Sequence, residues 1–321
     1  MEAYLPSGWP VLLTATLALL GCLAVGFAVT RISSNAVARI SAWALVLIGM
    51  CGLERFCSDE APGFRMLALI GMGLFGMKAV VAVESRISGR APLDPKHWLF
   101  FSAGWFGMRP ALFSSSACGN RQGGASLIKK GLARIVYGLL LVLLARWAWA
   151  AFDSRWVATL LMLPGLSLIL HFGLFNIVAG LWRVVGFDCR SLFKAPLYSQ
   201  SLSEFWSRRW NLAFSEMTAL AVHRPCKRRL GPATATVLAF LFSGLLHEAA
   251  ISLPVKAGFG FPMLYFLLHG AAMLVEKFLR DRGHPLEGWR GRLWTIAWLV
   301  VPLPFLFHQP FLRGVVWPLF Q

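Results

Sequence analysis

Long apolar runs separated by shorter polar stretches set the pattern of this chain. Eight runs, at about 9–29, 36–53, 64–83, 132–152, 156–181, 233–253, 260–279 and 293–312, reach or approach the roughly 20 residues an α-helix needs to cross a bilayer core. The second is the shortest. The pattern predicts an all-α polytopic membrane protein of about eight transmembrane helices, organised as a single integral membrane domain over 1–321. Pro302 and Pro304 predict a kink in the last span.

One run departs from the apolar rule. Ala233 to Leu253, ATATVLAFLFSGLLHEAAISL, carries His247 and Glu248 in its second half. Ionisable groups at membrane depth are costly and normally face a protein-lined or water-filled interior. On a helix, Ser243 and Gly244 lie one turn before His247 and share its face, leaving room for a neighbouring helix or a substrate. A histidine that merely bonds another helix meets the same description, so both readings stand at this point. Glu248 points about 100° away from His247 on a helix and is not assumed to orient it; pairing with a cation on a neighbouring helix is its alternative role.

The segments between the runs hold the other chemistry. Lys78, near the end of the third span, is expected to snorkel, and the first three spans are expected only to pack. HWLFFSAGWFGMRP (97–110) is too short and interrupted to span, and Trp98, Phe100, Phe101, Trp105 and Phe106 predict an interfacial or re-entrant segment. The polar stretch 114–126 reads as a loop, and its Gly123–Gly124 pair lacks the spacing of a phosphate-binding loop. His171 and Asn176 in the fifth span read as interhelical packing groups.

SLSEFWSRRWNLAFSEM (201–217) opens with a helix-start signal, Ser201 or Ser203 with Glu204 in the capping-box position for Ser201. Projected on a 3.6-residue helix, Glu204, Arg208, Asn211 and Ser215 form a polar stripe, with Trp206, Trp210 and Ala213 roughly opposite. An interfacial anchor accounts for the tryptophans and for Arg208 and Arg209, but not for aligned Glu204 and Asn211. His269 and Glu276 follow in the seventh span beside Gly270 and Ala271.

Composition and charge narrow the class. The chain is 57% hydrophobic and 14% charged, with a mean hydropathy of +0.64, against roughly 25% charged residues in ordinary soluble domains. The formal net charge of +17 invites a nucleic-acid reading, which the distribution excludes. Of the 31 Lys and Arg, 24 fall in the alternate segments 30–39, 84–134, 182–232 and 277–292. That asymmetry is the positive-inside pattern and places the four basic segments in the cytoplasm of a bacterial inner membrane or endoplasmic reticulum. The first span lacks a basic leader region and reads as retained. Six scattered cysteines without a C-x-x-C pair indicate neither a metal site nor a disulfide framework, although Cys51 and Cys57 are near enough to pair.

SLSEFWSRRWN (201–211), FLFSGLLHE (240–248) and YFLLHG (265–270), in that order, resemble the membrane-bound O-acyltransferase superfamily and within it the wax-synthase-type branch. HFGLFNIVAGLWRVVGFD (171–188) and GWFGMRP (104–110) are similar to stretches of that branch. The resemblance covers roughly 97–280 and divides the domain into N-terminal spans (1–96), an acyltransferase core (97–280) and a C-terminal span (281–321).

What the resemblance implies is acyl transfer from acyl-CoA to a hydroxyl acceptor, with Asn211 and His247 as the active pair. The residue types suit that chemistry: a histidine takes the hydroxyl proton, and an amide donor polarises or positions the thioester. No G-x-S-x-G elbow and no H-x-x-x-x-D motif around His247 point to another acyltransferase class. Trp206, Trp210, Arg208, Arg209, Ser243, Glu204 and His269 are the accompanying substrate-binding candidates. Arg208, Arg209, Lys227, Arg228 and Arg229 are expected to attract the CoA phosphates. The expected partners are acyl-CoA as co-substrate, a lipidic alcohol and membrane lipids, with no further cofactor, no metal and no nucleic acid. A long-chain alcohol giving wax esters is the first acceptor. A sterol, diacylglycerol, glycan or secondary-metabolite hydroxyl is the alternative, and a transporter or non-catalytic binding protein is the reading of another class.

Overall fold

In a computed structural model of the protein, residues 2–114 and 122–320 are described. Cys118 and the middle of the predicted loop 114–126 lie outside them. Among the described residues the chain is helical with no strand.

Seven helices are long and apolar enough to cross a membrane: α1 (Trp9–Val29), α2 (Asn35–Phe56), α3 (Pro62–Ile87), α5 (Gly124–Phe152), α6 (Arg155–Val185), α9 (Pro232–Val255) and α10 (Phe261–Asp281). An eighth span is broken, α11 (Gly288–Leu306) meeting α12 (Gln309–Leu319) at 67°. The protein is a multi-pass integral membrane protein, and the run read as least secure is a complete 22-residue helix. The last span is interrupted at Val301–Pro302, where the prolines are expected to kink it, and bends again between Leu306 and Gln309. Short α4 (Pro95–Ser102), α7 (202–209) and α8 (212–230) fill the connections.

The centre of the bundle is α3, the most buried of the spans. Two cations on it are buried, and each takes up backbone carbonyls of a different part of the chain. Arg65 pairs with Glu54 of α2 and donates through Nη1 to the Pro254 carbonyl (2.6 Å) and through Nη2 to the Leu253 carbonyl (3.0 Å), at the end of α9. Helix C-termini leave such carbonyls unpaired. Lys78 does not snorkel. It is fully buried, and its Nζ donates to the carbonyls of Phe101 (2.8 Å), Trp105 (2.7 Å) and Gly107 (2.6 Å).

The Phe101 carbonyl is at the end of α4, and the other two belong to a non-helical curl, 103–109, that follows it. Trp98, Phe101 and Trp105 are buried in the main core. Irregular backbone at membrane depth needs donors from the protein. Lys78 supplies two, and Trp182 Nε1 on α6 supplies a third to the Gly104 carbonyl at 2.7 Å.

Helices α5 and α6 pack through small residues. A Cβ on Gly124, Gly131 or Gly138 would meet the carbonyl of Gly180, Gly173 or Gly165 at 3.0, 2.8 and 2.7 Å. The spacing is seven and seven on α5, but eight and then seven on α6. A π-helical turn at Leu168–Leu174 absorbs the extra residue; such turns are single-residue expansions of an α-helix. Cys51 and Cys57, near enough in sequence to pair, carry free thiols.

Candidate active site

The stretch 201–217 is not one helix, and the polar stripe projected along it does not form. Ser201 caps α7, its hydroxyl accepting from the Glu204 N–H at 2.9 Å, while Glu204 Oε2 accepts from the Gln200 N–H at 2.8 Å. A π-helical turn, Phe205–Arg209, ends the helix. Trp210 is extended and Asn211 turns left-handed at φ 41°. Asn is among the few non-glycine residues that tolerate this region. The corner is fixed from outside, since the Lys194 N–H donates to the Arg209 carbonyl (2.8 Å) and the Leu212 N–H to the Leu192 carbonyl (2.9 Å).

Asn211 then caps α8, its Oδ1 accepting from the Phe214 N–H at 3.2 Å. With Oδ1 engaged, the Nδ2 amino group is the part of the amide left to act as a donor. The Phe214 ring lies 5.6 Å from the His247 imidazole. One residue therefore bridges the two candidates.

His247 ends the α-helical part of α9, immediately before a π-helical turn at Glu248–Ser252. Its Nδ1 donates to the Ser243 carbonyl at 2.7 Å, which leaves Nε2 as the nitrogen with a lone pair. Phe266 of α10 packs on the ring at 4.2 Å. Ser243 is buried and donates to the Ala239 carbonyl (2.8 Å). The space beside Gly244 belongs to a neighbouring helix, because a Cβ there would meet Met263 at 2.6 Å. Among the described residues Glu248 pairs with no cation; its Oε1 accepts from the Gly260 and Met263 N–H groups (2.9 and 3.0 Å) at the start of α10. A carboxylate suits that helix end.

His269 is fully buried. Its Nδ1 donates to the Tyr265 carbonyl (2.8 Å), and Nε2 lies toward the Trp298 carbonyl without a well-formed hydrogen bond. Trp206 stands edge-on to it at 5.4 Å and touches Phe266 at 5.7 Å. Trp210 stacks on Phe205 (5.5 Å), meets Phe193 at 4.9 Å and His171 at 5.8 Å. His171, Trp210, Trp206, His269 and His247 are thus joined by one continuous set of aromatic contacts. It surrounds both candidates with apolar side chains.

The cations divide into two sets. Arg209 is committed within the fold, donating to Glu204 Oε1 (2.6 Å) and the Ala195 carbonyl (3.2 Å). The Gln200 N–H, with Arg209 adding to it, holds the Glu204 carboxyl below its ordinary range. Arg208, Lys227, Arg228 and Arg229 are exposed on the basic face.

Sequence reasoning left the role of Glu276 open and missed Arg109. Glu276, buried on α10, accepts from the Leu202 N–H (2.6 Å) and Ser203 N–H (3.2 Å), and so holds the start of α7. Arg109 of the curl pairs with Glu216 of α8 at 2.7 Å, five residues beyond Asn211. Burial raises the Glu216 carboxyl above its ordinary value, with Arg109 opposing. A lone acid in an apolar run was the signal for Glu276; nothing local marked Arg109.

Residues 189–268, which enclose the Asn211 corner, His247 and Phe266, match the sequence model of the membrane bound O-acyl transferase family. That match and the multi-span helical fold agree with the resemblance to this superfamily. Similar proteins carry the names of long-chain-alcohol acyltransferases. A probable long-chain-alcohol O-fatty-acyltransferase 2 of Arabidopsis thaliana is 32% identical over 145 residues, covering 41% of this chain and 42% of that protein. The long-chain-alcohol O-fatty-acyltransferase of Simmondsia chinensis is 32% identical over 105 residues, 30% of each chain. The matched stretch spans less than half the length of these relatives.

Proposed function

We propose that the protein transfers a fatty acyl group from acyl-CoA to a long-chain alcohol, forming a wax ester, with His247 as general base and Asn211 as oxyanion donor. The observation that carries this reading is the bridge through Phe214, whose backbone N–H donates to the Asn211 amide oxygen and whose ring packs near an imidazole with Nδ1 engaged, so that Asn211 Nδ2 and His247 Nε2 are the groups left to act. His247 Nε2 takes the hydroxyl proton as the alcohol oxygen attacks the thioester carbon. Asn211 Nδ2 donates to the carbonyl oxygen as it gains charge. Collapse forms the ester, breaks the carbon–sulfur bond and returns the proton from Nε2 to the departing CoA thiolate. A positioned base of this kind contributes about 10²–10⁴-fold, and a single oxyanion donor about 10²–10³-fold.

The basic segments take the cytoplasmic side in this reading, so that CoA, a membrane-impermeant polyanion, approaches Arg208, Lys227, Arg228 and Arg229. The aromatic walls receive the acyl chain and the fatty alcohol from the bilayer. The test is acyl transfer from labelled palmitoyl-CoA by the reconstituted protein to a panel of alcohols, beside His247→Ala and Asn211→Ala. Wax ester made by the wild type and lost in both variants supports the reading. Product with only a sterol, diacylglycerol or polar alcohol replaces the acceptor, and no product with a well-folded wild type removes the activity.

A further inference from the structure

We propose that Lys78 is a positioning residue for this site, acting through the curl 103–109 and delivering Arg109 to the helix that Asn211 caps. The inference rests on the acyl-transfer reading for its functional half. Lys78 lies in the N-terminal spans, outside the stretch 189–268 that matches the family. Its three carbonyl acceptors equal the three N–H donors of an ammonium, and the Phe101 ring covers the same nitrogen at 4.1 Å. An isolated buried charge is costly, so burial on this scale is sustained only by a full set of partners. The curl and the lysine therefore form together.

The curl reaches the candidate site by two arms. Arg109, two residues past the last carbonyl that Lys78 binds, is 59% exposed and pairs with Glu216. Phe106, between the second and third of those carbonyls, stacks on Phe175 of α6 at 4.2 Å, which meets Phe193 and through it Trp210. Both sides of the Trp210–Asn211 corner thus lean on a segment whose backbone is gathered by one side chain.

The experiment uses the full chain in lipid nanodiscs and compares wild type with Lys78→Met, Arg109→Gln and the double variant. Hydrogen exchange needs no substrate: Lys78→Met should speed exchange across 100–113 by about tenfold, with α9 and α10 unchanged, as expected for local opening. Wild-type exchange there overturns the proposal. With palmitoyl-CoA, each single variant should raise KM about fivefold, the order of one partly exposed ion pair, with kcat little changed. The double variant should match either single one, because contacts in series are not additive. Multiplying effects, or a loss confined to kcat, would also overturn it. If Lys78→Met does not fold, Gly107→Ala serves, since its Cβ would meet Trp105 Nε1 at 2.1 Å and displace the curl with Lys78 intact; wild-type exchange and KM in that variant refute the proposal. If the wild type turns over no acyl-CoA, the acyl-transfer reading and the functional half fail together, while exchange still decides whether Lys78 holds the curl.

Discussion

Asn211 and His247 are coupled through Phe214, whose backbone N–H donates to the Asn211 amide oxygen and whose ring lies against the imidazole. The same amide that is proposed to act on substrate also starts the helix that places a wall of the histidine site. Substitutions at Asn211 therefore mix chemistry with folding unless they are chosen to separate the two.

Asn211→Gly makes that separation. Glycine accepts the left-handed backbone at φ 41°, and replacing a cap by glycine costs only a few tenths of a kcal/mol. Thermal unfolding should stay close to wild type while kcat falls about 10²–10³-fold with the loss of one donor. Asn211→Ala should lose the same activity and also unfold earlier. Retention of activity by the glycine variant removes Asn211 from the chemistry.

At His247, glutamine keeps a polar side chain but offers no basic nitrogen. A fall in kcat of about 10²–10⁴-fold with unchanged unfolding is expected. An isolated rise in KM would make the residue a binding group instead.

Glu276→Gln tests the clamp between α10 and α7. The carboxylate accepts from two backbone N–H groups, and the amide offers one oxygen, so a loss of about 1–3 kcal/mol is expected for bonds to a charged acceptor. Chemical denaturation of the detergent-solubilised protein reads it, and unaltered stability would show that the clamp contributes nothing measurable.

The start of α7 should also respond to pH. Glu204 has its folded pKa depressed, first by the Gln200 N–H and then by Arg209. A depressed carboxyl stabilises above its unfolded pKa, and that contribution disappears as pH falls through the lower folded value. Unfolding temperature measured from pH 7 downward should therefore drop more steeply below the ordinary carboxyl range in wild type than in Glu204→Gln. Parallel curves would count against it.

The α5–α6 seam tolerates no added volume. A Cβ at Gly131 would meet the Gly173 carbonyl at 2.8 Å and Ile177 at 2.6 Å, so Gly131→Ala should cost about 1–3 kcal/mol through overpacking. Gly21, with open space at its Cβ position, is the control: alanine there should leave unfolding where it was.

Hydrophobic run length made the spans legible, because the bilayer leaves a helix little alternative. The order of the stretches around Asn211 and His247 made the family resemblance legible. The corner between them was not, because a 3.6-residue projection assumes an unbroken helix, whereas the break at Trp210–Asn211 is set by pairing with residues 192–194 far from it in the local pattern. Lys78 misled for a related reason. A lysine near a span's end has the same flanks whether it reaches for water or for carbonyls, and only the path of 101–107 decides. Glu248 was open to either role until α10 brought its first N–H groups alongside.

The π-helical turn at Leu168–Leu174 has a further consequence. It keeps one face of α6 in phase with α5 across the extra residue: before it Gly165 is keyed to Gly138, and beyond it Gly180 faces Gly124 while Trp182 reaches the Gly104 carbonyl. Removing one residue from the turn would close it to α-helical geometry and leave both contacts on their face. The same deletion between Phe175 and Ala179 would carry Gly180 and Trp182 about 100° round the helix, away from the seam and the curl. At the turn a deletion costs length and no angle.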